Sequence, residues 1–161
     1  MRLEELNVLP DDVAVAEFRQ CCGSTRWADA MDRAMPFPSI GQMAEKADEI
    51  WRSLDPADWL EAFAAHPRIG ERSSAHSLAE QRRALSASDA VRDTLTRYNR
   101  DYEIRFGHIF IVCATGKSAE EMLAILVDRM TNVPEDELRI AAEEQRKITG
   151  LRLRMRFQIS D

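Results

Sequence analysis

Basic charge, paired cysteines and long apolar runs are all scarce in this sequence, and each shortage closes off a class of function. Lys and Arg number 22 against 28 Asp and Glu, giving a net charge of −6 at pH 7 and a pI near 5.2. Bulk contact with nucleic acid or an anionic membrane needs a basic face, so neither is expected as a partner. One pocket arginine can still act locally on a small anionic substrate. Cys21, Cys22 and Cys113 are the three cysteines. An odd count with an adjacent pair is not a secreted disulfide framework, and a reducing compartment is expected. The longest strongly apolar run, IFIVCA (109–114), is too short to span a bilayer. MRLEELNVLPDD lacks the apolar core of a signal peptide, and QISD is not a peroxisomal tripeptide. Together these features predict a cytoplasmic protein. There is no internal repeat, low-complexity tract or long linker.

Familiar ligand motifs are missing as well. His66, His76, His108 and Cys113 form no HxxxH or CxxC pair, so no metal is expected. ATGKS (114–118) has the end of a phosphate loop but not its beginning. The first glycine of G-x-x-x-x-G-K-[ST] would fall on Ile111.

What the sequence does have is helical periodicity, in a chain of 161 residues that suits one domain over 1–161. Apolar residues make up 45% and charged residues 31%, the balance of a globular protein. Asp11 or Asp12 predicts the cap of a helix to about Cys22, with Val13, Val15, Ala16 and Phe18 on its apolar side. Gly23 and Ser24 break it. A second helix, about Thr25 to Met35, carries Trp27, Ala30, Met31 and Ala34, and PFPS (36–39) stops it. Ser39 and Gln42 open a capping-box pattern, followed by Met43, Ala47, Ile50, Trp51 and Leu54. Asp55-Pro56 is an N-cap with proline at the first helical position, leading to Trp59, Leu60 and Phe63. Further helices are expected over about 74–85 and about 88–105, the latter with Val91, Leu95, Tyr98, Tyr102 and Ile104. Ser118 and Glu121 cap another that ends near Asn132. A last one from about Pro134 carries Leu138, Ala141, Ala142, Gln145, Ile148, Leu151 and Met155. FGHIFIVCATGKS (106–118) resembles a buried strand but has no evident partner. The expectation is an all-α bundle of about eight helices with a short irregular buried segment near 106–113.

Chemistry concentrates in AHPRIGERSSAHSLAEQ (65–81). His66 ends a helix, and Pro67 biases it out of the α region. An imidazole there can exchange a proton near neutral pH. On spacing alone, such a histidine reads first as a cap for the preceding carbonyls. Ser77 and Glu80 stand one helical turn apart, and Ser77 and Gln81 share a face. A carboxylate such as Glu80 beside the imidazole would fix its tautomer and raise its basicity. Neighbouring Arg82 and Arg83 favour a plain solvated face when the stretch is read by itself. Arg152, Arg154 and Arg156 alternate in GLRLRMRF, so in a helix they cannot all share a side. One of them can turn inward as a carboxylate clamp.

HPRIG (66–70), S-x-x-E-Q (77–81), FGHIFIVCATGKSAEEML (106–123) and I-x-x-LRL (148–153) occur in that order. An all-α chain of this length carrying them resembles the 2-oxo-4-hydroxy-4-carboxy-5-ureidoimidazoline (OHCU) decarboxylases of urate breakdown, over roughly residues 10 to 157. The resemblance implies a cofactor-free carboxy-lyase that turns OHCU into (S)-allantoin and carbon dioxide. Carried over residue by residue, it implies His66 as catalytic imidazole and Glu80 as its acidic partner. Pro67, Ser77 and Gln81 would line the substrate pocket. Main chain around Phe110 and Ile111 would bind polar atoms of the ring or ureido group. Arg152 best matches the substrate-binding arginine, ahead of Arg154. It further implies a possible homodimer.

Overall fold

The computed structural model describes residues 1–67 and 89–158. The helix expected over about 74–85 lies outside these residues. The described residues form eight helices and no strand, so the all-α expectation holds. In chain order they are α1 (Leu3–Leu6), α2 (Asp11–Arg19), α3 (Thr25–Ala34), α4 (Ile40–Ser53), α5 (Pro56–Ala64), α6 (Asp89–Phe106), α7 (Ala119–Arg129) and α8 (Pro134–Arg156). Among the described residues, no helix is long and apolar enough to cross a membrane.

Local rules set most of the starts. Ser24, Ser39 and Ser118 each accept a backbone N–H three residues on, at 3.2, 3.1 and 3.1 Å, satisfying a donor the helix cannot. Asp55 precedes Pro56 at the start of α5, and its own N–H donates to Asp58 at 3.3 Å. The first long helix corrects the expectation: Pro10, not Asp11 or Asp12, occupies the N-cap, and the helix stops at Arg19. Its buried face is Ala14 and Phe18, while Val13 is exposed. The two acidic residues instead sit in the first turn, where they complement the helix dipole.

Two compact units divide the chain, Met1–Ala65 with Arg146–Asp161, and His66–Gln145. In the first, Phe18 is a hub. Its ring meets Trp27 and Phe37 edge-on at 6.0 and 6.3 Å and Phe157 at 5.9 Å. Such arrangements add to the area they bury. The polar parts are satisfied: the Trp27 indole donates to Ala47 O at 3.2 Å, and Asn7 exchanges two bonds with the Phe37 main chain. Arg156 donates to Glu17 at 2.5 Å, and Gln158 N–H donates to Met1 O at 3.0 Å, so the two ends of the described chain meet in this unit. Gly23 is required by close approach, because a Cβ there would lie 2.4 Å from that of Ala65.

The second unit packs Leu95 and Tyr102 of α6 against Phe110 and against Ala119, Met122 and Leu126 of α7. Ile104, expected on the apolar stripe of α6, is exposed. It lies two residues past Tyr102, about 200° around the helix. α6 ends at Gly107, whose φ of +78° suits only glycine, with its N–H on Glu103 O at 2.8 Å. The chain then runs without regular structure to Ser118, burying Phe110, Ile111 and Cys113. This is the irregular buried segment that the sequence predicts.

Candidate functional site

α5 delivers His66. Ala65 closes the helix, and Pro67 holds the next residue outside it, leaving a half-buried imidazole. Its Nε2 lies 2.5 Å from Oε1 of Gln145. Gln145 is fully buried in α8, on the same face as Ala141, Ala142 and Ile148. An amide there costs free energy unless it is hydrogen-bonded, and the imidazole supplies that bond.

The Phe110–Ile111 main chain is held by a buried charge network. Arg129 and Glu137 are almost wholly enclosed. Arg129 Nε donates to Glu137 Oε1 at 2.7 Å, and its Nη1 donates to Ile111 O at 2.7 Å. The guanidinium lies over the Phe110 ring, 4.6 Å from its centroid. Tyr102 donates to Glu137 Oε1 at 2.5 Å, and Asn132 to Oε2 at 2.9 Å. Burial, and then the bond to Glu137, push the Tyr102 phenol far above its ordinary range, so it stays protonated and donates. From α8, Glu144 accepts the Cys113 N–H at 3.3 Å. The segment thus gets from side chains the partners that a neighbouring strand would otherwise provide.

In the other unit, Arg152 is turned inward and buried, whereas Arg154 is exposed and donates to Gly150 O at 3.3 Å. Arg156 pairs with Glu17. Of the three alternating arginines, only Arg152 is buried. Burial pushes the thiols of Cys21 and Cys22 up to about 12 and about 11, with Arg152 pulling against it in both. Burial thus disfavours the thiolate form of both, the environment of a structural and not a reactive cysteine.

His66, Pro67, Phe110, Ile111 and Arg152 are therefore all described, the first four in one unit and Arg152 in the other. Ser77, Glu80 and Gln81 lie outside the described residues. Sequence reasoning did not single out Gln145, Arg129 or Glu137. Gln145 gave a signal: it is a long polar side chain inside an apolar stripe. Arg129 and Glu137 gave none: Arg129 follows Asp128 at the end of a predicted helix, and Glu137 sits in an acidic first turn. Among the described residues, no group of three or more His, Cys, Asp or Glu is placed to hold a metal. Two surface grooves, of about 290 and about 280 Å³, flank α4; of the candidate site residues, only Arg154, the second choice for the substrate arginine, lines either of them.

The sequence profile of the OHCU decarboxylase family matches residues 7–154. A uric acid degradation bifunctional protein of Arabidopsis thaliana is 37% identical over 155 residues, 91% of this chain and 48% of that protein. The chain thus spans about half the length of that relative. An OHCU decarboxylase of Amia calva is 34% identical, over 78% of this chain and 77% of its own. The full-length match to an OHCU decarboxylase of Haloferax volcanii is 26% identical, over 98% and 96%. A crystal structure of OHCU decarboxylase in the presence of (S)-allantoin superposes with a TM-score of 0.77 at 36% identity, covering 90% of this chain and 96% of that one. An (S)-allantoin synthase, 22% identical, shares the fold with a TM-score of 0.76 over all of this chain and 56% of its own. These matches extend through the helical frame and are not confined to HPRIG and its neighbours: the chain belongs to the OHCU decarboxylase family.

Proposed function

We propose that this chain decarboxylates OHCU to (S)-allantoin and carbon dioxide, the carboxy-lyase step of urate degradation, acting without a cofactor as one domain over residues 1–161. The observation that carries this reading is the family match over residues 7–154. The 36% identical structure obtained in the presence of (S)-allantoin supports the same chemistry.

The reaction defines what the residues must do. Loss of carbon dioxide leaves an electron pair on the former C4. That carbon adjoins C5, which the imidazoline ring joins by a double bond to nitrogen, so the charge spreads through C5 onto that nitrogen and leaves an enol at C4. Preorganised donors for that charge and one positioned proton carrier meet the demand. His66, with Glu80 as its acidic partner, handles the C4 hydroxyl proton or helps break the C4–carboxylate bond. Arg152 anchors an anionic or carbonyl part of the substrate through its two-pronged donor geometry. Its burial supports this role, since an enclosed guanidinium is strengthened by a low local dielectric. Pro67, Ser77 and Gln81 line the pocket, and main chain around Phe110 and Ile111 meets the amide-like edges. The C4 hydroxyl then gives up its proton to become a carbonyl, and protonation of the ureido-bearing C5 on one face gives the (S) product. The chain works in the cytoplasm, on a small molecule and not on nucleic acid or membrane, and pairs as a homodimer.

The test generates OHCU in place from urate with urate oxidase and hydroxyisourate hydrolase, and follows (S)-allantoin by circular dichroism. Wild type is expected to speed the (S) signal far beyond the spontaneous rate. His66→Ala, losing general acid–base catalysis, is expected to be slower by about 10²–10⁴-fold. Folded wild-type protein that only matched the background would overturn the activity. Near-normal turnover by His66→Ala would overturn the role of the histidine.

A further inference from the structure

Buried in the apolar face of α8, Gln145 occupies a position that Leu or Met would fill without any polar cost. Its neighbours on that face are Ala141, Ala142 and Ile148, and the side chain is fully enclosed. Its amide oxygen contacts His66 Nε2, from a residue 79 positions away in the chain, at 2.5 Å. We propose that Gln145 is the positioning residue that fixes the tautomer and ring orientation of His66, a role that rests on reading His66 as the catalytic imidazole.

The chemistry of the pair gives the assignment its direction. An amide oxygen only accepts, so the proton of the pair belongs to Nε2. Neutral His66 then carries its lone pair on Nδ1. Protonation adds the second proton at Nδ1 and leaves the bond to Gln145 intact. The imidazole therefore changes charge without rotating, and the atom that gains and loses the proton is always Nδ1. The acceptor at Nε2 is neutral, so it orients the ring without adding charge and leaves the tuning of its basicity to the proposed acidic partner Glu80. Adjacent Glu144 takes the Cys113 N–H at 3.3 Å, so two successive residues of α8 hold the imidazole and the 106–113 segment.

The test reads the His66 ring by ¹⁵N NMR in the ligand-free protein, beside kcat and KM on OHCU for Gln145→Met and Gln145→Glu. In wild type, the neutral ring is expected as the Nε2–H tautomer. Gln145→Met removes the acceptor at nearly equal length. It is expected to mix the tautomers and lower kcat by about 10–100-fold, the usual loss for an orienting partner. KM should stay within about threefold, because Gln145 orients a catalytic group and does not bind the substrate. Gln145→Glu keeps an acceptor and is expected to keep the Nε2–H tautomer. An Nδ1–H ring in wild type overturns the proposal, as does Gln145→Met with wild-type tautomer and kcat. If Gln145→Met does not fold, the wild-type and Gln145→Glu spectra still decide it. Wild-type protein without OHCU turnover would sink the proposed activity, while the spectra would still judge the pairing.

Discussion

Arg129 joins three parts of its unit. It neutralises Glu137, caps the Ile111 carbonyl and lies over Phe110. A buried ion pair adds little over a well-packed apolar pair, but removing one partner leaves a stranded charge. Arg129→Met is therefore expected to cost about 3–5 kcal/mol in urea unfolding. Adding Glu137→Gln should recover part of that loss by removing the stranded carboxylate. A double variant as unstable as Arg129→Met would show that the charge is not the cause. Sequence could not foresee this pair: DRMTNVPEDELR reads as a solvated turn, and only tertiary packing selects which of its charges is enclosed. His66 and Arg152 drew attention in the sequence because HPRIG and LRL are compact motifs. The structure adds the half-burial of His66 and the burial of Arg152, not their proposed roles. The inward turn of Arg152 and outward turn of Arg154 follow from helix geometry once one of them is buried.

At the scale of the element, starts were more legible than faces. Ser24, Ser39, Ser118 and Asp55-Pro56 act within one turn, so sequence alone contains the whole cause. Faces depend on what lies opposite. On α8 the expected stripe continues to Leu151 and Met155, yet both are exposed, and Thr149, Arg152 and Leu153 are buried instead. Hydrophobicity favoured Leu151 over Arg152; the packing around this stretch does the opposite. The break after α2 also has more behind it than composition suggests. Gly23 leaves room for Ala65, the residue that closes α5 just before His66. Gly23→Ala would force two Cβ atoms to 2.4 Å, so backbone must move. The expected loss is about 1–3 kcal/mol, read from thermal unfolding. Ala65→Gly in the same chain should restore most of it. A neutral Gly23→Ala would mean that the contact relaxes without cost.

The whole molecule is not two consecutive halves. The first unit is made of Met1–Ala65 and Arg146–Asp161, and the chain between them forms the second. No composition shift marks these boundaries, and the division falls inside α8, so sequence could not reveal it. Phe157 completes the cluster around Phe18, and Arg156 pairs with Glu17. A chain ending at Gln145 would strip both from residues 1–65. Loss of the near-ultraviolet dichroism of Trp27 is expected, with far-ultraviolet helix signal largely kept. An unchanged near-ultraviolet spectrum would show that the N-terminal segment packs without its C-terminal partner.

That pairing of Glu17 with Arg156 has a consequence on the ribosome. The two residues are 139 positions apart in the chain. At about 5–20 residues per second, Glu17 waits roughly 7–30 s for Arg156 to be made. Throughout that interval Phe18 lacks Phe157, and the nascent chain displays aromatic surface that the fold hides. The interval between the synthesis of α2 and that of the end of α8 is therefore when this aromatic cluster is incompletely covered.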